Sequence, residues 1–160
     1  MIDNNVAIPP DTMGAAGPNH LMVTLNSQVV IQDKRTGAHI SERSLASFWS
    51  SLGNPNPFDP RVVFDPASGR WITAAVADQR SARSSILVGV SQTSDPTGTW
   101  NLYKVVTDPA GQLWSDFTNL GYNGKWIVVQ VNLFDNSNNF KRGDVLAFDK
   151  ADLYAAGAGK

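Results

Sequence analysis

The chain has 160 residues, of which 42% are hydrophobic and 17% charged, a balance that supports a globular fold and argues against a disordered tail. Lys+Arg 13 against Asp+Glu 14 leave a net charge of -1, with no basic excess to neutralise a phosphate backbone or an anionic bilayer, so neither nucleic acid nor a membrane is an expected partner. Cys 0 and His 2 exclude disulfide staples, thiolate zinc sites and cysteine nucleophiles.

In chain order, period-two or β-branched runs predict strands at His20 to Leu25, Gln28 to Asp33, Ala38 to Glu42, Arg61 to Phe64 and Arg70 to Ala77. Further strands are predicted at Ser84 to Ser91, Asn101 to Val106, Phe117 to Gly121, Lys125 to Leu133 and Asp144 to Phe148. Turn chemistry separates them: 33–37 (DKRTG), 65–69 (DPASG) and Asn123-Gly124 each join two extended runs as antiparallel hairpins do. Two short helices are expected, Leu45 to Ser51 capped by Ser44, and Lys150 to Ala156. No apolar run approaches the roughly 18 residues of a membrane span, and MIDNNVAIPPD has no basic region followed by an apolar core, so no export signal is expected in this chain.

Laid over itself, the chain matches at three places: PPDTMGAAGPNHLMVTLN, FDPRVVFDPASGRWITAAVA and WSDFTNLGYNGKWIVVQVN. Each runs Asp, a short apolar strand, a Gly/Pro/Asn turn, a bulky residue and a longer apolar strand. Asp11, Asp59 and Asp116 open the units, and Leu21, Trp71 and Trp126 open the second strands, which places Trp71 and Trp126 in the core. The spacing suits four-stranded antiparallel blades, so the expected fold is all-β, a partial β-propeller of about three blades at 1–50, 51–110 and 111–160. Small residues at Gly14, Ala15, Ala16 and Gly121 are expected to relieve crowding where inner strands converge. Three blades do not close a ring, so further blades or a second copy are expected to complete it.

The motifs PPDTMGAAGPNH, DPRVVFDPASGRW, SQTSDPTGTW and NLF...GDVLAFDKADLYAAG resemble those of bacterial secreted β-propeller proteins, the broad group with sialidase-like Asp-box repeats and glycosidase propellers. The third looks like an Asp-box, with Gly98 one position later than usual relative to Asp95. That resemblance implies an extracellular or cell-surface location and structural roles for Asp95 and Trp100. DPRVVFDPASGRW is similar to the segment of five-bladed glycosidase propellers that brings an aspartate to a sugar at the central axis. The resemblance nominates Asp59, and the internal repeat adds Asp11 and Asp116.

Clustered carboxylates at such a mouth would bind a cation, hold sugar hydroxyls or act as acid and base, and the plainer reading of each is a cap on the inner-strand entry that bonds backbone N–H groups. Asp59 and Asp116 are the catalytic candidates if the protein is an enzyme; Asp11, Asp59, Arg61, Trp114 and Asp116 are the ligand-binding candidates, Trp114 as an exposed platform. Glu42, the only glutamate, follows an outer hairpin beside Arg43 and reads as a solvent-facing ion pair, which weakens a hydrolase. Tyr122 reads as packing, and His20 and His39 lack ligand-spaced partners. Residues 135–139 (DNSNN) read as a polar turn. No cofactor is expected; a calcium ion on the axis has no motif behind it. The expected function is a glycan-binding propeller segment, with a glycoside hydrolase or a purely structural adhesion repeat as alternatives.

Overall fold

The computed structural model describes residues 7–159; residues 1–6 and residue 160, which the outer blade boundaries and the reading of the N-terminus include, lie outside the described residues. The fold is mostly β, with three antiparallel sheets. The first has the order β1 (Met13–Ala16), β2 (His20–Thr24), β3 (Gln28–Asp33) and β4 (His39–Ser44). The second comprises β5 (Pro57–Asp65), β6 (Arg70–Ala77), β7 (Ser85–Ser91) and β8 (Trp100–Val106). The third holds β9 (Leu113–Tyr122), β10 (Trp126–Asp135) and β11 (Phe140–Asp149), with β10 central.

The helices form where capping chemistry places them. Ser44 Oγ accepts the Ser47 N–H at 3.0 Å to open α1 (Leu45–Trp49), which runs into a 3-10 turn at Ser50–Leu52. Asp149 caps α2 (Lys150–Tyr154) through the Asp152 N–H. The strands expected at Arg61 and at Phe117 are longer than their apolar runs. Pro60 falls at a bulge, where the ladder does not require its missing N–H, so β5 begins already at Pro57.

The second sheet lies between the other two, with β1 packed on β5, and β5 and β6 packed on β9. Trp71, Ala75 and Ala77 of β6 meet Met22, Val29, Ile31 and the α1 aromatics Phe48 and Trp49. Ile72, Ala74 and Val76 of the same strand meet Ile127, Val129, Val131 and Leu133 of β10. A strand covered on both faces needs apolar or small residues at every position, which is why β6 and β7 read as continuous rather than alternating runs. β10 is covered on one face and alternates.

That alternation overturns the expectation that Trp126 is core. Trp126 is 36% exposed, while the next residue, Ile127, is fully buried. A one-residue slip on a strand moves a side chain to the opposite face, and the residue that faces the second sheet as a wedge is Ile127. The small residues also act elsewhere than expected. A Cβ on Gly121 would meet nothing within 4 Å, whereas one on Gly17 would stand 2.5 Å from Trp71 Cζ2. The close approach is therefore of the Trp71 ring onto the β1–β2 turn, away from the converging first strands.

Candidate functional site

Each first strand carries the same irregularity. In the second sheet Asp59 and Pro60 lie opposite the single residue Ala75, and in the third Phe117 and Thr118 lie opposite Val131. In the first sheet Pro10 O accepts the Asn26 N–H at 2.9 Å while Met13 faces Thr24, which leaves Asp11 and Thr12 opposite Leu25. The leading residue of each bulge is left-handed, with φ of 48° at Asp11, 50° at Asp59 and 59° at Phe117. Asp tolerates that conformation; Phe does so at a cost of about 1–3 kcal/mol. The structural counterpart of Asp11 and Asp59 is thus Phe117, and Asp116 stands one residue ahead of it.

Side chains tie the bulges together. Asn26 Oδ1 accepts the Asp59 N–H at 2.7 Å, and its Nδ2 donates to the Asp11 carboxylate at 2.6 Å and to Pro9 O at 3.1 Å. Asp59 Oδ2 in turn accepts the Phe117 N–H at 2.9 Å, an N–H that Asp116 Oδ1 accepts at the same distance. A side chain from the preceding sheet thus holds the bulge N–H of the second and of the third.

The three aspartates line one open cleft of about 650 Å³ together with Asn26, Gln79 and Phe117. Partial burial of the Asp59 carboxyl is the main influence on its protonation, followed by Asp116 and then Asp11 within hydrogen-bonding reach; together they push it up to about 7 against the opposing pull of the Phe117 N–H. Near neutral pH the Asp59 carboxyl therefore holds its proton much of the time, beside the Asp116 side chain. Phe117 is 57% exposed at the rim. No cluster of three or more His, Cys, Asp or Glu positioned for a metal occurs among the described residues.

Of the sequence candidates, Asp11, Asp59 and Asp116 come together; Arg61 and Trp114 do not join them. Arg61 gives its Nη1–H to the adjacent Pro60 carbonyl and lines a separate cleft of about 320 Å³ with Met13, Asn119 and Gln130. Trp114 is 3% exposed, which rules out the platform. It sits inside β9 rather than in a loop, opposite Phe134, on whose ring it stacks at 5.3 Å, and its indole N–H donates to Asp135 O. Glu42 is exposed, 3.7 Å from His39, whereas Arg43 turns onto Phe48. Tyr122 is exposed at its rim and donates its hydroxyl to Phe64 O. Asp95 accepts from the Thr97 N–H and hydroxyl and closes its own turn, and Asp135 does the same across residues 135–139.

Asn26, Gln79 and Phe117 were not among the sequence candidates. Asn26 had a legible signal, since it follows the second strand opposite the Asp11 bulge; Phe117 and Gln79 had none without the register.

No family model matches the chain, and no curated protein matches it.

Proposed function

We propose that the three sheets are consecutive blades of a secreted β-propeller segment and that the cleft at Asp59 is a glycan-binding site at the axis, the ring being completed by further blades or a second copy. The observation that carries the reading is the convergence of Asp11, Asp59, Asp116 and Asn26 beside the exposed ring of Phe117. Sugar hydroxyls need several donors and acceptors at close quarters, and the apolar face of a pyranose needs an aromatic wall. A left-handed, exposed phenylalanine is costly to keep where only packing is at stake. The recurring bulge supports the blade reading, because the same left-handed break falls at the start of each first strand and brings an aspartate at or next to it to one cleft.

Glycan-array screening followed by calorimetry tests this. Asp59→Asn keeps an acceptor for the Phe117 N–H but removes the ionisable carboxyl, and Phe117→Ala removes the wall; each is expected to weaken binding by about tenfold or more. Binding unchanged in both variants rejects the site.

A glycoside hydrolase is the second reading, favoured by a carboxyl that titrates near 7 beside another carboxyl. The spacing counts against it. Two carboxyls within hydrogen-bonding reach leave no room for a scissile bond, which needs about 5 Å or more between them. Turnover of chromogenic glycosides that disappears in Asp59→Asn replaces the binding reading with this one. Silence in both assays leaves the adhesion repeat.

A further inference from the structure

We infer that the cleft between the edge of the first sheet and β8 is a second binding site, specific for a carboxylate carried on a compact body, with Arg43 as its anchor. This inference is independent of the carboxylate cleft. Arg43 lies on β4 with its side chain partly buried, and its guanidinium carbon stands 4.4 Å from the centroid of the Phe48 ring. Most of the other arginines have acceptors: Arg61 and Arg70 donate to backbone carbonyls, Arg80 to Asn138, and Arg83 and Arg142 face carboxylates, while Arg35 lies exposed in a turn. Among the described residues Arg43 has none, although burial disfavours its charged form. A guanidinium over an aromatic face has its charge partly met by the ring while its N–H donors remain unused, and a carboxylate can take two of them at once.

The cleft in front of that edge holds about 230 Å³. Ser47, Ser50 and Ser51 supply hydroxyls on one side, and Gly98, Trp100 and Leu102 form the other. Ser50 Oγ donates to Ser47 O at 3.0 Å, so its hydroxyl oxygen keeps its capacity to accept from a ligand hydroxyl. Trp100 is fixed by its N–H to Pro96 O and by edge contact with Phe48, so the wall is rigid. Among the described residues no acidic side chain lines the cleft. A bare anion would use only the arginine; a carboxylate on a ring would use the arginine, the serines and the Trp100 wall together.

The probes are glucuronate, acetate and glucose, added at constant ionic strength while the Arg43 side-chain N–H and the Trp100 indole N–H are followed by NMR. Saturable shifts of both resonances with glucuronate, weaker ones with acetate and none with glucose are expected. Arg43→Gln is expected to weaken glucuronate by about tenfold or more, as loss of a charge-assisted pair requires. Should Arg43→Gln disturb the Phe48 packing, Ser51→Glu decides instead, by placing a competing carboxylate at the rim and abolishing the shifts in a folded protein. No saturation by about 50 mM glucuronate, well above a weak millimolar affinity, overturns the site. So do equal shifts with glucose, or shifts that persist in both variants.

Discussion

Asp59 and Asp65 stand near opposite ends of β5, and their surroundings give them opposite chemistry. Asp65 is 1% exposed, accepts from Lys150 Nζ at 2.8 Å and from the Tyr154 hydroxyl at 3.0 Å, and receives the Ala67 N–H at 3.1 Å. Burial would raise its pKa, but Lys150 and the hydrogen bonds prevail and hold it below the usual carboxylate range. Asp59 is less buried, yet has two other carboxyls beside it, and is pushed up to about 7. Burial pushes both carboxyls up; what separates them is the ammonium and hydrogen bonds that oppose it at Asp65 and the further carboxyls that reinforce it at Asp59. One end of the strand is a clamp that fastens α2 to the second sheet, and the other opens on the cleft that Asp59 lines with Asp11 and Asp116.

The largest way to break that contrast is to unpair the clamp. Asp65→Asn leaves the Lys150 ammonium buried without its counter-charge and is expected to lower stability by about 3–5 kcal/mol in urea unfolding. The double variant Asp65→Leu with Lys150→Met is expected to recover most of that loss, because the cost lies in the orphaned charge. Failure to recover would place the cost in the Tyr154 and backbone bonds instead.

At the other end, Asn26→Ala removes the acceptor of the Asp59 N–H and the donor to Asp11, with an expected loss of about 1–3 kcal/mol and a weaker cleft. An unaltered melting temperature would show that the bulges hold without this tie.

The two carboxyls also separate by pH. With a folded pKa of about 7 against an ordinary 3.8, Asp59 keeps a proton that the unfolded chain releases, so its contribution is complete below pH 4 and declines as pH rises to 7. Discounted for solvent screening, the decline is on the order of 1–2 kcal/mol, and Asp59→Asn is expected to remove it. Asp65 runs the other way, its contribution present above pH 4 and lost as pH falls through its lowered pKa. Stability profiles of the two variants therefore diverge from the parent in different windows; profiles that change in the same window would refute the assignment. The smallest effect belongs to the exposed Glu42, where Glu42→Gln is expected to shift stability by less than about 0.5 kcal/mol.

Strand positions were legible because hydrophobic alternation and turn residues are local. Asp33, Asp65 and Asn123 each sit where the sequence puts a turn, and each receives backbone N–H groups there. The convergence of Asp11, Asp59 and Asp116 was legible through the repeat. Trp114 was misjudged because a Pro/Gly-rich approach looks like a loop although the strand has already begun at Leu113. Trp126 was misjudged because the match between units cannot see that Phe117 and Ile127, rather than Asp116 and Trp126, occupy equivalent positions across the bulge.

The sequence by itself determined the all-β class, the order of strands and turns, and the grouping of aspartates at the starts of successive first strands, since each follows from periodicity and from residues that act on their own backbone. Only the tertiary structure decided which face each strand turns inward, that Asp59 meets carboxyls while Asp65 meets Lys150, and that Arg43 meets a ring. Those outcomes depend on packing between sheets, where one residue of register or one neighbouring charge reverses the result.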